Sequence, residues 1–395
     1  MSYPMAAQPT AVALDLDALS ARFDNYHPEQ YTADFPHTTF RLLRDAGLPA
    51  LALQAAYRPL CATAPAEQRA AFERQLTLLK AVGRGSLPAG RIYEGHVNAV
   101  HLIELYGTEA QRRRWYGEIR EQQLLFGVWN TEMRDGVTIT DLGDGRYRLT
   151  GAKTFCSGAG HVDRPIITGP LLRDGESAGW QMCVVPTEAF NHPERITGDF
   201  WRPLGMEASA SYRIDFTGIE LRRADLLGQP DDYQQQPAFS GGAVRFTAVH
   251  LGGAEALFDH TLRFLRQQER QNNPYQAHRL GHLATEIESG RQWLRGAAEH
   301  TLYATNSTDK VIQYANMVRT AISRICHRVL DDCATCVGAR GFLAPHPVQQ
   351  IYRDLTMYLR QPNPDGALAD LGKYVGNCGR PGYAIWDESQ TASDE

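Results

Sequence analysis

The sequence has no apolar run approaching the ~20 residues that span a bilayer, so a transmembrane helix is not expected. It has no surplus of one charge either: 40 Lys and Arg stand against 45 Asp and Glu, a net of −5. That argues against non-specific nucleic-acid binding, which needs an excess of phosphate-neutralising cations. Cysteine is sparse and odd in number. The seven are Cys61, Cys156, Cys183, Cys326, Cys333, Cys336 and Cys378, scattered in a way that argues against a disulfide framework. The first residues, Met1-Ser2-Tyr3-Pro4-Met5, show no basic flank and no hydrophobic segment of a signal peptide. The expected address is the cytoplasm, with no membrane or nucleic-acid partner. No internal repeat is apparent.

What is present is the composition of a globular enzyme, 43% hydrophobic and 22% charged over 395 residues. That length suggests two to three structural units. Periodicity of three and four dominates as far as Arg120, as in Phe72, Leu76, Leu79 and Val82. Pro88 opens a further helical stretch that stops before Gly107. The pattern changes to alternation in Arg146-Tyr147-Arg148-Leu149-Thr150 and in Tyr212 to Thr217, the period of strands with one buried face. Gly143-Asp144-Gly145 supplies a hairpin turn. The polar run from Pro230 to Pro237 reads as an exposed linker, and helices return beyond it. The expected units are a helical domain over 1–122, a β-domain over 123–229, a helical bundle over 238–377 and a tail over 378–395 that frays from Trp386.

Several local patterns have plain explanations. Cys333 and Cys336 form a CxxC, but they continue the stripe Val311, Tyr314, Val318, Ile322, Ile325, Val329 and read as one buried helix face. His278 and His282 are spaced to share a helix face, yet no third metal ligand is identifiable, and no metal site is expected. Asn306-Ser307-Thr308 matches a glycosylation sequon but reads as a turn between helices. Gly83-Arg84-Gly85 and Gly252-Gly253 follow no strand and make no dinucleotide fingerprint.

Four segments in order carry a resemblance. They are Phe126-Gly127-Val128-Trp129-Asn130-Thr131-Glu132; Gly151-Ala152-Lys153-Thr154-Phe155-Cys156-Ser157-Gly158-Ala159; Pro203-Leu204-Gly205-Met206 through Ser211; and Gly338-Ala339-Arg340-Gly341-Phe342 followed by Tyr352-Arg353-Asp354. Together they resemble the acyl-CoA dehydrogenase superfamily of flavoproteins, from about Phe35 to Val375. The resemblance implies an α+β fold with an N-terminal helical domain, a middle β-barrel-like domain and a C-terminal four-helix bundle. It also implies FAD, with FMN the lesser alternative, and a homodimer or homotetramer.

For the cofactor, the resemblance implies contacts from Trp129, Thr131, Phe155, Ser157, Arg270, Thr335, Gly338 and Ala339. Hydroxyl and amide donors such as Thr131 and Ser157 suit the negative charge of a reduced flavin ring, and Phe155 can pack on it. Backbone amides of Gly338 to Gly341 can approach a diphosphate, although a helix C-cap explains them as well. Arg270 falls where the family reaches a neighbouring subunit's diphosphate, but Gln271-Asn272-Asn273-Pro274 follows in place of the family's Lys-Thr-Phe-Gly. For the substrate, Arg91, Glu94, Arg245 and His250 fall on helices that line the family's cavity. Tyr93 and His96 beside them suggest a polar cavity, or an exposed face.

The chemistry departs from the family norm. The usual catalytic Glu would fall nine residues after Arg353, where Pro362 stands, and the alternative position before Arg245 holds Val244. Three readings follow. The preferred one is a two-component flavin monooxygenase, resembling the sulfur monooxygenases through Phe155 to Ala159, with Ser157 and Asn130 near the reacting ring and a separate reductase as partner. The second is a dehydrogenase of acyl-CoA or another acyl thioester, served by an electron-transfer partner, with a relocated base at Asp365. The third is a flavin-binding paralogue without turnover.

Overall fold

A computed structural model describes residues 15–23, 37–54, 65–236, 241–301 and 307–386. The chain opens with α1 (Leu16–Arg22), α2 (His37–Asp45), α3 (Leu48–Gln54), α4 (Pro65–Gly85), α5 (Leu87–Tyr106) and α6 (Glu109–Gln122). Local chemistry sets these ends. The Ser86 side chain caps α5 by accepting from the Ala89 amide, with Pro88 in the first turn, and Thr108 and Gln111 form a capping box on α6.

The strands follow as β1 (Phe126–Trp129), β2 (Thr138–Gly143), β3 (Arg146–Thr150), β4 (Ala152–Cys156), β5 (Arg164–Arg173), β6 (Glu176–Val184), β7 (Ile196–Thr197), β8 (Tyr212–Asp215), β9 (Glu220–Arg222) and β10 (Leu226–Leu227). They build two sheets. The larger runs β10-β6-β5-β2-β3-β9, with β1 paired in parallel to β5, and the smaller runs β4-β8-β7. The turn between β2 and β3 is made by Gly143, Asp144 and Gly145, all with positive φ.

The remaining helices are α7 (Gly241–Gln267), α8 (Pro274–His300), α9 (Thr308–Val337), α10 (Pro347–Tyr358) and α11 (Pro364–Asn377). Helices α4 and α7 pack almost backbone to backbone. A Cβ at Gly252 would lie 2.1 Å from the Lys80 carbonyl, so close helix packing is the reason for that glycine. Cys326, Cys333 and Cys336 lie buried with Val318, Ile322 and Val329 along α9, a core stripe. Cys61 and Asn306 lie outside the described residues, while Ser307 caps α9 by accepting from the Lys310 amide at 3.4 Å.

Two segments differ from the sequence expectation. The run read as an exposed linker is tied to β6 at Asp231, while Gln234 to Gln236 are exposed as expected. The Asp231 amide donates to the Trp180 carbonyl at 2.8 Å, the Trp180 amide donates to the Asp231 carboxylate at 2.8 Å, and Tyr233 packs against the core. Its polarity reflects side chains that bond locally rather than a free chain. Trp386, read as the start of a frayed tail, stacks its ring edge-on to Tyr314 at 5.4 Å and lies near Tyr374 at 5.8 Å. Aromatic burial outweighs the polar residues after it.

Candidate functional site

The β face of the site is built around a strained turn. Phe155, at the end of β4, sits at φ 53° where β4 slips register against β8. A bulky residue pays steric energy to hold that left-handed conformation. The result is an aromatic ring left 45% exposed, edge-on to Phe200 and Trp201 at 5.8 Å each. Immediately after it, the Ser157 hydroxyl is 2.8 Å from that of Ser211, and Ser211 is 2.8 Å from Ser209. Ser209 and Ser211 are buried, so the three hydroxyls form one chain leading inward from Ser157. Sequence reading singled out Ser157 alone; the other two lie in the Leu-Gly-Met segment, whose seryl pattern was the available signal.

Trp129 closes the turn by donating from Nε1 to the Ser157 carbonyl at 3.1 Å. Asn130 is exposed at the end of β1. Its side-chain oxygen accepts from the Thr168 hydroxyl, and its carbonyl accepts from Lys153 Nζ at 3.0 Å. Lys153 itself is fully buried and paired with Glu132; burial pulls its ammonium below the usual lysine range, and Glu132 works against that shift. Thr131 is exposed, with its carbonyl accepting from the Thr154 amide at 2.9 Å.

The helical face meets this turn at Ile92 of α5. A Cβ on Gly158 would approach Ile92 at 3.3 Å, so the serine turn lies against α5 directly. Around Ile92 the polar residues of α5 divide into two groups. Tyr93 donates to the Leu48 carbonyl at 2.9 Å, and the Phe126 amide donates to His96 Nδ1 at 3.0 Å, leaving Nε2 to face the Pro49 carbonyl at 3.1 Å. Burial pushes His96 down to about 4, and these two side chains staple α5 to its neighbours.

Arg91 and Glu94 belong to the other group. Arg91 pairs with Glu94, Asn98 donates to Glu94, and Arg245 of α7 donates to Asn98. The four form a continuous polar chain from α5 to α7, with Glu94, Asn98 and Arg245 buried. Burial opposes the charge on Arg91, but Glu94 and Tyr358 outweigh it and raise its affinity for the proton. Tyr358, at the end of α10, is pushed well above the usual phenol range by burial, as is Tyr233, raised to about 12.

His250 lies one layer further along α7, 2% exposed, with its ring edge-on to Tyr358 at 4.5 Å and tilted on Phe246 at 5.3 Å. Burial pushes its imidazole down to about 3, so it is neutral at physiological pH. It lines a cavity of about 470 Å³ between α7, α9 and the start of α11.

The remaining expected residues lie elsewhere. Arg270 is exposed in the turn after α7, and Thr335, Gly338 and Ala339 are exposed at the end of α9. Gly338 caps α9 at φ 60° with open space beside it. The end of α7 is about 26 Å along its axis from His250, at 1.5 Å per residue. The structure therefore brings Trp129, Phe155 and Ser157 together at one turn against α5, joins Arg91, Glu94 and Arg245 in one polar chain, sets His250 further along α7, and leaves the Arg270 group apart. Asp365 is exposed in the first turn of α11, on the cavity rim. Pro362 has its carbonyl bound by Arg319, and Val244 is buried in the core. His278 and His282 have ring centroids 4.4 Å apart, but no group of three metal-binding side chains occurs among the described residues.

Residues 233–359 match the family model for the acyl-CoA dehydrogenase C-terminal domain. Over that segment the chain is similar to the acyl-CoA dehydrogenase superfamily. It is 25% identical over 276 residues to the mitochondrial isobutyryl-CoA dehydrogenase of Dictyostelium discoideum, spanning 67% of this chain and 65% of that one. It is 22% identical over 329 residues to the dibenzothiophene monooxygenase of Rhodococcus erythropolis, 75% of this chain and 78% of that one. In structure it resembles TdsC of Paenibacillus sp. A11-2, solved with FMN and indole, at a TM-score of 0.79 and 17% identity, covering 94% of this chain and 98% of that one. The acyl-CoA dehydrogenase fold thus holds along nearly the whole chain. No described helix is long and apolar enough to cross a membrane.

Proposed function

We propose that this protein is a flavin-dependent oxidoreductase that inserts oxygen from O2 into a small organic substrate, with reduced flavin delivered by a separate reductase. The observation that carries the reading is the state of the two positions where the dehydrogenases of this superfamily hold a base. Pro362 offers only a backbone carbonyl, already engaged by Arg319, and Val244 is an apolar core residue. Neither can accept a proton. A monooxygenase needs no carboxylate there.

The residues fit a flavin. Phe155 presents an exposed ring face held by backbone strain, and the Ser157 hydroxyl and exposed Thr131 provide donors beside it. Trp129 orients Ser157 through its carbonyl. A flavin held there would supply two electrons, so that one oxygen atom of O2 enters the substrate and the other leaves as water. Ser157, steadied by Ser211 and Ser209, holds a proton donor toward the ring. The neutral, buried His250 and the ring of Phe246 line the cavity assigned to the substrate.

Arg270, Thr335, Gly338 and Ala339 are exposed at the ends of α7 and α9, a long way along α7 from His250. We assign this group to the phosphate end of a neighbouring copy's flavin, within a homodimer or homotetramer. Two sets of donors on that surface favour FAD, although TdsC was solved with FMN.

A second reading, an acyl-thioester dehydrogenase using Asp365, draws on the position of that carboxylate at the cavity rim. Its exposure leaves the carboxylate in solvent rather than enclosed over a substrate carbon, which weighs against a base there. The test is rapid mixing of the protein, loaded anaerobically with reduced flavin, against O2. Oxidation slower than that of free reduced flavin is expected. Oxidation at the free-flavin rate, with or without candidate substrates, would remove the oxygenase reading.

A further inference from the structure

We propose that the cavity between α7 and α9 binds the headgroup of an anionic substrate, a small organic carboxylate with an apolar body. This deepens the oxygenase reading and rests on it for the role of the cavity.

The lining is split by character. Phe246, Leu359 and Leu368 give an apolar wall, and Arg319, Arg324 and His327 rise along one face of α9. Arg328 also reaches the cavity but is paired with Glu286 at 2.7 Å. Arg319 and Arg324 have no carboxylate partner among the described residues. Arg319 lies over the Phe246 ring at 5.6 Å and donates to the Pro362 carbonyl, which fixes its plane at the cavity wall.

A half-buried guanidinium without a counter-charge is an unfavourable arrangement for an empty protein. Burial accordingly weakens the hold of Arg319 on its proton. An incoming carboxylate would supply the missing charge and accept two parallel N–H bonds from such a fork. Asp365 is the one carboxylate in the lining, and it is exposed at the rim.

His250 adds an independent observation. It is 98% buried and lines the cavity; the Tyr358 carbonyl lies beside the ring, but neither ring nitrogen makes a hydrogen bond of good geometry among the described residues. Buried polar atoms in native proteins are normally satisfied, so this imidazole is placed for a ligand. As a neutral ring it donates one bond without adding charge. The volume, about 470 Å³, is that of a small-molecule site.

The experiment is calorimetric titration of the flavin-free full-length protein with benzoate and with benzamide, which share size and shape but differ in charge. Benzoate is expected to bind at least ~10-fold tighter, and each of Arg319→Gln and Arg324→Gln to weaken it by about 10-fold or more without changing benzamide. Arg324 is exposed and forms no ion pair among the described residues, so its variant keeps the binding test separate from a folding defect. Equal binding of the two probes, or benzoate binding unmoved in both variants, would overturn the proposal. So would displacement of benzoate by CoA or FMN, which would assign the cations to a phosphate. Flavin binding is measured in a separate titration. Its failure would sink the oxygenase reading while leaving the carboxylate site standing.

Discussion

The amide of Met206 donates to the carboxylate of Asp354 at 2.6 Å, joining the Leu-Gly-Met turn of the β layer to the buried side of α10. Gln350 donates to the same oxygen at 2.8 Å. Burial pushes Asp354 up to about 7, and its two donors only partly offset that. The folded protein therefore binds this proton more tightly than the unfolded chain does. Stability from Asp354 is complete below the ordinary carboxylate range and drains away as pH rises toward 7. Thermal melts of the wild type and of Asp354→Asn at pH 4.5 and pH 7.5 check this. The wild type is expected to lose Tm relative to the variant on going to the higher pH, and a constant difference would refute the assignment.

The neighbouring Gly205 is a steric requirement of the same junction. A Cβ there would lie 2.3 Å from the Arg353 carbonyl carbon and oxygen. Arg353 also donates from Nε to the Leu204 carbonyl at 2.6 Å and pairs with Glu207, so the turn cannot back away cheaply. Gly205→Ala is expected to cost about 1–3 kcal/mol in chemical denaturation. A change below ~0.5 kcal/mol would show that the turn moves freely.

Much of this was readable in the sequence, and the rest was hidden for physical reasons. Period-two and period-three-to-four patterns mark strands and helices because they record which face is buried, as with Leu149 in β3 and Val318 in α9. The pairing of β1 with β5 is parallel and distant in sequence, so nothing local announces it. Motif and helix position point to Phe155, Ser157, Arg91, Glu94, Arg245 and His250 as candidates, but not to the contacts each of them makes. The Arg91–Glu94–Asn98–Arg245 chain links two helices about 150 residues apart, and Asn98 carries no motif of its own. Arg319 and Arg324 belong to no motif, and only the fold sets them around one cavity with Phe246 and the start of α11.

The hydroxyl chain makes a prediction of its own. Ser211→Ala removes the link between Ser157 and Ser209 while leaving the Trp129 contact to the Ser157 backbone. It is expected to destabilise the fold by about 1 kcal/mol and to leave flavin affinity within ~3-fold. The rate at which bound reduced flavin reacts with O2 is expected to change by ~10-fold, because the Ser157 proton is no longer oriented. A rate identical to wild type would show that Ser211 has only a packing role.

Removing the rim acid should help an anion. Asp365→Asn takes away the one carboxylate in the cavity lining. Benzoate is expected to bind about 2- to 5-fold tighter by calorimetry, with the gain reduced in high salt, as for any exposed charge. Weaker binding would mean that Asp365 contacts the ligand.

The central claim, an oxygenase without a dehydrogenase base, is tested most directly by anaerobic titration of the flavin-loaded protein with acyl-CoA thioesters, including isobutyryl-CoA and butyryl-CoA, while the visible absorbance of the oxidised flavin is followed. With Pro362 and Val244 in place of a base, the absorbance is expected to persist with every thioester. Bleaching by any of them, reversed by an electron acceptor, would contradict the account and return the protein to the dehydrogenases.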